Sequence, residues 1–316
     1  MHPIISYKKD YGNMTKFCFV MLLFFMVGWS SKSLGQSCCC TGAGSNYSIL
    51  PNLNKNVVGL RWTYSYLYSE KISLNPELNG MRTNINFNTA EFFGRFNLNR
   101  LLQLSAFVPV NFVSEQSRIS NQKTTGLGDI SMMMQFLVLD PLKCHGSKSK
   151  HQLRLGVGFK LPSGKHKKED NNLYSTSVQP GTGSTDFFFN AIYTYRYNDF
   201  GMNVSGSYRA NTVNSYRFRF GDKLEGGANA FYILKSGSWS FMPAVGIKYL
   251  HSFHNYNRGE AVYLSPSEVL STNFSCDIFY KPLALSLSVQ PVAYNYAGVG
   301  DVTRKLMLEA GLFYNF

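Results

Sequence analysis

From Asn56 to Phe316 the side chains alternate in character with a period of two, not the 3.6 of a helix. Val58, Leu60, Trp62, Tyr64, Tyr66 and Tyr68 share one face of an extended chain, opposite Gly59, Arg61, Thr63 and Ser65. Leu102, Leu104, Ala106, Val108, Val110 and Phe112 repeat the pattern opposite Gln103, Ser105 and Asn111. Leu153, Leu155, Val157, Phe159 and Leu161 stand opposite Arg154, Gly156, Gly158 and Lys160. The stripes Phe187, Phe189, Ala191, Tyr193, Tyr195, Tyr197 and Leu306, Leu308, Ala310, Leu312, Tyr314, Phe316 behave in the same way. Successive strand side chains point to opposite faces, so each segment has one apolar, aromatic-tipped face and one small or polar face.

The alternation predicts about twelve strands, near 56–68, 84–96, 101–113, 127–138, 152–162, 184–197, 200–211, 223–234, 239–251, 268–280, 283–294 and 304–316. Their connections alternate in length. Short ones fall at 97–100, 198–199, 235–238 and 281–282; long ones at 69–83, 114–126, 163–183, 212–222, 252–267 and 295–303. Short turns at one end and long loops at the other are the habit of outer-membrane barrels. The connection 139–151 is too long for the short end and is basic, with Lys143, Lys148 and Lys150. Pro109, Pro243 and Pro291 fall inside strands, where a missing N–H interrupts a ladder; bulges near the rim would accommodate them.

A soluble β-sandwich also alternates, and the placement of charge separates the two folds. Arg61, Glu91, Arg95, Asp129, Arg154, Lys160, Asp186, Arg196, Arg209, Glu225, Lys248, Asp277, Lys305 and Glu309 all lie opposite the aromatic face. In a barrel they line the lumen while the apolar face meets lipid, where an Arg or Lys at the midplane costs about 2–4 kcal/mol. Charged residues make up only 16% of the chain, below the roughly 25% of a soluble domain. The predicted fold is all-β: a transmembrane antiparallel up-and-down β-barrel of about twelve strands, preceded by a cleaved signal peptide. Eight basic and six acidic inward charges nearly balance, which predicts ion pairs inside a narrow lumen, with Arg154, Arg196 and Arg209 facing Asp129, Asp186 and Glu225.

Lys8, Lys9 and Lys16 precede the apolar run Phe17–Val27, and Ser33 and Gly35 stand at the −3 and −1 positions of a cleavage site before Gln36. The run ends at Trp29, short of the ~18 residues a spanning helix needs. Met14 is an alternative start to Met1, one that leaves a more compact leader. Removing four Lys and one Asp with residues 1–35 takes the formal charge from +13 to +10. The predicted organisation is a signal peptide at 1–35, a Cys-containing periplasmic segment at 36–55 and a barrel at 56–316, in the outer membrane of a Gram-negative bacterium. Cys38, Cys39 and Cys40 follow the cleavage site, but Leu34 lies four positions before Cys38 where lipidation normally needs three. Free, disulfide-bonded and acylated states stay open for them. No Cys/His spacing fits a zinc site, so no metal is expected.

Three glycine-rich elements add a resemblance. Gly126-Leu127-Gly128-Asp129-Ile130, Leu161-Pro162-Ser163-Gly164-Lys165 and Gly181-Thr182-Gly183-Ser184-Thr185-Asp186 occur in that order. The chain resembles the outer-membrane family named after the meta-pathway of phenol degradation, and Cys38–Gly44 is similar to the start of its Bacteroidetes-type members. The resemblance implies an outer-membrane channel passing small molecules, hydrophobic and aromatic ones among them, and brings no set of binding residues. Read physically, Gly126 and Gly128 relieve crowding at a rim or let Asp129 reach across the lumen, and Gly181 and Gly183 permit a sharp chain entry.

No phosphate-binding loop, nucleophile elbow or zinc-protease motif occurs, and no cofactor is expected. The predicted function is passive uptake of small molecules through an outer-membrane channel or transporter. The alternatives are a plugged surface or structural barrel without transport and, from a third class, an outer-membrane lipid hydrolase. A hydrolase needs Ser and His together on the lipid side, with His145 and Ser147, or Ser252 beside His251 and His254, as candidates. Lys165-His166-Lys167-Lys168, followed by Glu169 and Asp170, is too short and mixed for nucleic acid but suits contact with lipopolysaccharide. Tyr314 and Phe316 end the last outward stripe and form the expected insertion signal for the barrel-assembly machinery.

Overall fold

The computed structural model describes residues 55–71, 81–117, 121–140, 148–166, 179–262, 265–297 and 302–316. The leader, the three adjacent cysteines, and His145 with Ser147 lie outside the described residues. Twelve strands form the wall, two of them in two pieces: β1 Val57–Lys71, β2 Met81–Asn97, β3 Leu102–Ser117, β4 Asn121–Leu127 continued by Ser131–Leu139, β5 Ser149–Lys160 and β6 Asp186–Tyr197. The rest are β7 Phe200–Ala210, β8 Lys223–Tyr232 continued by Leu234–Ser236, β9 Trp239–Ser252, β10 Ser267–Tyr280, β11 Leu283–Ala297 and β12 Val302–Asn315. Each pairs antiparallel with its sequence neighbours, and β1 pairs with β12, so the sheet closes and leaves no edge.

Closure follows from the alternation. Leu60, Phe92, Phe136, Phe189, Ile247 and Leu312 point outward and stand exposed, a load of apolar surface that water does not tolerate and lipid does. Asn198, Gly237 and Lys281 take left-handed backbone conformations in hairpin turns of two residues, the twist that suits adjacent right-twisted strands. These turns, Asp140, Lys148 and both ends of the described barrel lie at one end, where Asn56 and Phe316 exchange backbone hydrogen bonds of 3.1 and 3.0 Å. At the other end, residues from two long loops form a small three-stranded cap, Phe218–Arg219, Asn255–Asn257 and Glu260–Val262.

Three sequence expectations change. The segment 114–126 is not a loop: β3 runs to Ser117 and β4 starts at Asn121. Its side chains are polar on both faces, so the alternation that marks the rest of the wall is missing there. The prolines sit at interruptions of the ladder, not at the rim. Pro109 lies mid-strand opposite the break in β4 at 128–130, Pro243 opposite the break in β8 at Ile233, and Pro291 in the gap of the β10–β11 ladder between Val289 and Val292, next to its register shift. Each missing N–H thus meets a place where the neighbouring strand asks for none.

The third change moves Lys305 off the inner face. A shift between Tyr66 and Leu67 in the β1–β12 register makes Arg304 the partner of inward Leu67. Lys305 is left exposed, its ammonium 6.0 Å from the Tyr68 ring on the outer stripe. Alternation alone carries no mark of such a bulge.

Candidate functional site: the barrel interior

The inner face is not uniformly small and polar. Val57, Phe93, Phe107, Met133, Phe188, Ile192, Ala284 and Phe313 form one buried apolar cluster, and Phe231, Ile233, Met242 and Ala244 form a second. Phe279 of β10 packs against both. The two strands without a member supply glycine floors: Gly158 of β5 lies opposite Phe188, and Gly201 of β7 opposite Phe231. Every strand therefore contributes to an apolar girdle inside the barrel. A separate patch of Leu67, Ile85, Phe87 and Val113 lies on β1–β3 toward the long loops.

Between these two patches the β1–β3 wall is polar. Arg61 bonds its register partner Glu91 and comes within 3.8 Å of Glu309, while Thr89 donates to Asn111 at 2.8 Å. Glu91, Arg95, Arg154, Arg209 and Asp277 are all buried on the inward side. The Arg209 guanidinium lies 5.9 Å from the Phe188 ring, and Lys248 Nζ lies 3.4 Å from Gln290 Oε1. Glu225 faces inward on β8 between Ser207 and Leu250. Arg196 is different: it sits at the short-turn rim, donates to the Asn198 carbonyl at 2.7 Å and reaches Asp199 at 3.8 Å. The inner ion pairs also differ from the expected set. They join neighbouring strands along the wall: Arg61 pairs with Glu91 and Glu309, and Lys160 with Asp129 and Asp186.

The three glycine-rich elements meet around Asp129. β4 breaks at 128–130, with the Gly128 N–H donating to the Pro109 carbonyl at 2.8 Å. Asp129 then accepts from the Gly164 N–H at 3.0 Å, the Thr182 N–H at 2.9 Å and the Thr182 hydroxyl at 2.6 Å. Lys160 Nζ lies 3.1 Å from Asp129 and 2.5 Å from Asp186, and also donates to the Thr182 hydroxyl. Gly164 and Gly181 lie back to back here: a Cβ on either would come within 2.7 Å of the other's backbone. Asp129 therefore stays on the wall and does not reach across the lumen. A cavity of about 10 Å³, room for about one water, adjoins Lys160, Asp186, Arg209 and Lys223.

A serine and a histidine do meet on the outer face, though not those the sequence suggested. The Ser149 hydroxyl lies 3.3 Å from His151 Nε2, and His151 Nδ1 lies 2.7 Å from the Tyr193 hydroxyl. The orienting group is a neutral phenol, where a catalytic triad uses a carboxylate to stabilise the imidazolium. His251 instead contacts Glu268 at 3.3 Å, and His254 lies 3.4 Å from the Val262 carbonyl. Among the described residues no three His, Cys, Asp or Glu side chains are placed to hold a metal ion.

No family model and no curated protein matches the chain. Its fold is similar to that of the COG4313 outer membrane channel from Pseudomonas putida F1, at 15% identity over 86% of this chain and 99% of that one, with a TM-score of 0.65. This chain is an outer-membrane β-barrel. A closed antiparallel wall with an apolar exterior is the architecture with which β-proteins cross that membrane. Looser similarities include the β domain of the Bordetella autotransporter BrkA, at 10% identity, 83% and 100% coverage and a TM-score of 0.46. A Pseudomonas aeruginosa FadL homologue matches at 10% identity, 92% and 100% coverage and a TM-score of 0.42.

Proposed function

We propose that this barrel is a passive channel of the phenol meta-pathway type for small hydrophobic and aromatic molecules. The girdle carries the reading. Thirteen apolar side chains from ten strands, with the Gly158 and Gly201 floors, ring the interior around Phe93, Phe107, Phe188, Phe231 and Phe313. A polar solute loses its hydration against such a surface without a return. An apolar one gains about 0.8 kcal/mol per buried methylene. Arg61 with Glu91 and Glu309, and Lys160 with Asp129 and Asp186, are paired along the wall, so these charges shape the polar stretch of the path and contribute little field to select ions. In this reading the short turns face the periplasm, residues 1–35 direct export, and 36–55 is periplasmic. The assembly machinery reads the outward Tyr314 and Phe316, and the basic loop at 165–168 meets lipopolysaccharide.

Proteoliposomes test the proposal. Uptake of a radiolabelled monoaromatic compound should exceed that of protein-free vesicles, while sugars of similar size stay excluded. Phe107→Ser with Phe188→Ser should slow the aromatic uptake severalfold. The burial of nearly all inner side chains also suits a plugged barrel without transport. Exclusion of both solute classes would decide for that reading, and entry of sugars alone would refute the hydrophobic path.

A further inference from the structure

The basic connection at 139–151, anomalous for the short-turn end, leads into an unused site. Lys148 and Lys150 at its end join Arg196 of β6 and Lys235 of β8 around a cavity of about 730 Å³. Lys150 lies opposite Arg196 in the β5–β6 register, a like-charge pairing that works against folding unless an anion offsets it. The lining holds one carboxylate, Asp199, which lies 3.0 Å from Lys235 and 3.8 Å from Arg196. Four cations against one carboxylate leave a strong local excess of positive charge.

The same cavity has an aromatic side. Tyr197, Phe200 and Tyr232 line it and stand exposed on the lipid-facing stripe, where aromatic rings sit at the level of headgroups. Cations on the aqueous side and rings on the lipid side match an amphiphile with an anionic head. We propose that this cavity holds the phosphate headgroup of an anionic phospholipid of the adjacent leaflet. Arg196 offers a planar fork for phosphate oxygens and the lysines add point charges. The acyl chains then lie along outward Met202 and Val204 of β7. This rests on the barrel crossing a membrane and not on what the barrel transports. With short turns in the periplasm, the lipid belongs to the inner leaflet.

The test uses native mass spectrometry of the full protein in neutral detergent, titrated with phosphatidylglycerol, phosphatidylethanolamine or inorganic phosphate. Phosphatidylglycerol should bind most tightly, and inorganic phosphate should not displace it. Near a membrane surface each cation contributes enough that Lys148→Gln with Lys150→Gln and Arg196→Gln should weaken binding about a hundredfold. The single change Lys235→Gln, at an exposed side chain, should weaken it about fivefold. Lys123→Gln with Arg258→Gln, at the far end of the barrel, should change nothing. Heat-modifiable migration in SDS gels confirms that each variant is folded. Equal loss in both multiple variants would reduce the effect to general surface attraction, and displacement by inorganic phosphate would make this a site for free anions. Either result overturns the proposal, as does undiminished binding by the triple and Lys235 variants. Surface labelling of an Asn198→Cys variant in intact cells reads the orientation separately, so failure of that reading is distinguishable from failure of the site.

Discussion

The ring of Phe313 on β12 lies over Gly59 on β1, its direct cross-strand partner, where a Cβ would come within 2.6 Å of the ring. The same relation recurs at Gly158 with Phe188 and at Gly201 with Phe231, again as direct partners. A ring covering a glycine shields backbone that would otherwise be bare, and the missing side chain gives the ring room to lie flat against the wall. Three such pairs let large inward rings fit a barrel of only twelve strands. The girdle is thus built from two residue types in register, not from aromatic content alone.

Gly158→Ala should destabilise the wall. The new carbon would meet the Phe188 ring at 2.3 Å and the Met132 carbonyl oxygen at 2.5 Å, and the backbone oxygen cannot rotate away. Overpacking of this kind costs about 1–3 kcal/mol. Urea unfolding in detergent should show that loss. Adding Phe188→Ala should relieve only the ring contact, so stability should recover in part. Full recovery would mean that the carbonyl contact is harmless.

The Ser149, His151 and Tyr193 chain is expected to be an interfacial hydrogen-bond relay and not a nucleophile. The group on His151 Nδ1 is the neutral Tyr193 phenol, which stabilises an imidazolium far less than a carboxylate does. A fluorophosphonate probe should leave the folded protein unlabelled, and Ser149→Ala should leave aromatic uptake unchanged. Stoichiometric labelling abolished by Ser149→Ala would instead revive the lipid hydrolase.

The period of two was enough to place all twelve strands, because each faces lipid on one side over most of its length. It failed where that condition fails. The hairpin of β3 and β4 around 118–120 is polar on both faces, and the bulge at Tyr66 exchanges Lys305 for Arg304 without any trace in the alternation. The girdle is hidden for another reason: the majority of a face sets its apparent character, and Phe93 and Phe188 sit inside the aromatic runs Phe92-Phe93 and Phe187-Phe188-Phe189. A readable signal did exist. An aromatic residue at an inward position, in register with a glycine on the next strand, marks a ring that needs a floor. The knot at Asp129 was legible only as three glycine-rich motifs, since nothing in their spacing says that they converge.

Deleting Phe316 should reduce the amount of inserted barrel without affecting export across the inner membrane. Phe316 is exposed on the outer face, 6.1 Å from the Tyr314 ring and 6.4 Å from Phe96. Its N–H also donates to the Asn56 carbonyl where the two ends of the wall meet. Phe316→Ala keeps that backbone bond and removes only the ring. Equal insertion of the deletion and the wild type, by heat-modifiable migration of membrane fractions, would remove the residue from the assembly signal. Loss in the deletion but not in Phe316→Ala would assign the effect to closure of the wall.

Lys160 and Arg196 both pair with aspartates, and their burial separates the consequences of removing them. Lys160 is almost wholly buried between Asp129 and Asp186, whereas Arg196 and Asp199 are partly exposed at the rim. Breaking a buried pair leaves a charge without compensation and costs about 3–5 kcal/mol. An exposed pair is worth about 0.2–1 kcal/mol. Lys160→Gln should therefore lower the urea midpoint sharply, and Arg196→Ala should hardly move it. The two aspartates should not suffer equally. Asp129 keeps three donors from Gly164 and Thr182, while Asp186 keeps the Thr212 N–H at 3.1 Å. Neutralising the poorer site, Asp186→Asn in the Lys160→Gln background, should restore more stability than Asp129→Asn does. The reverse order would mean that the strain of the broken strand at Asp129, and not the orphaned charge of Asp186, governs this part of the wall.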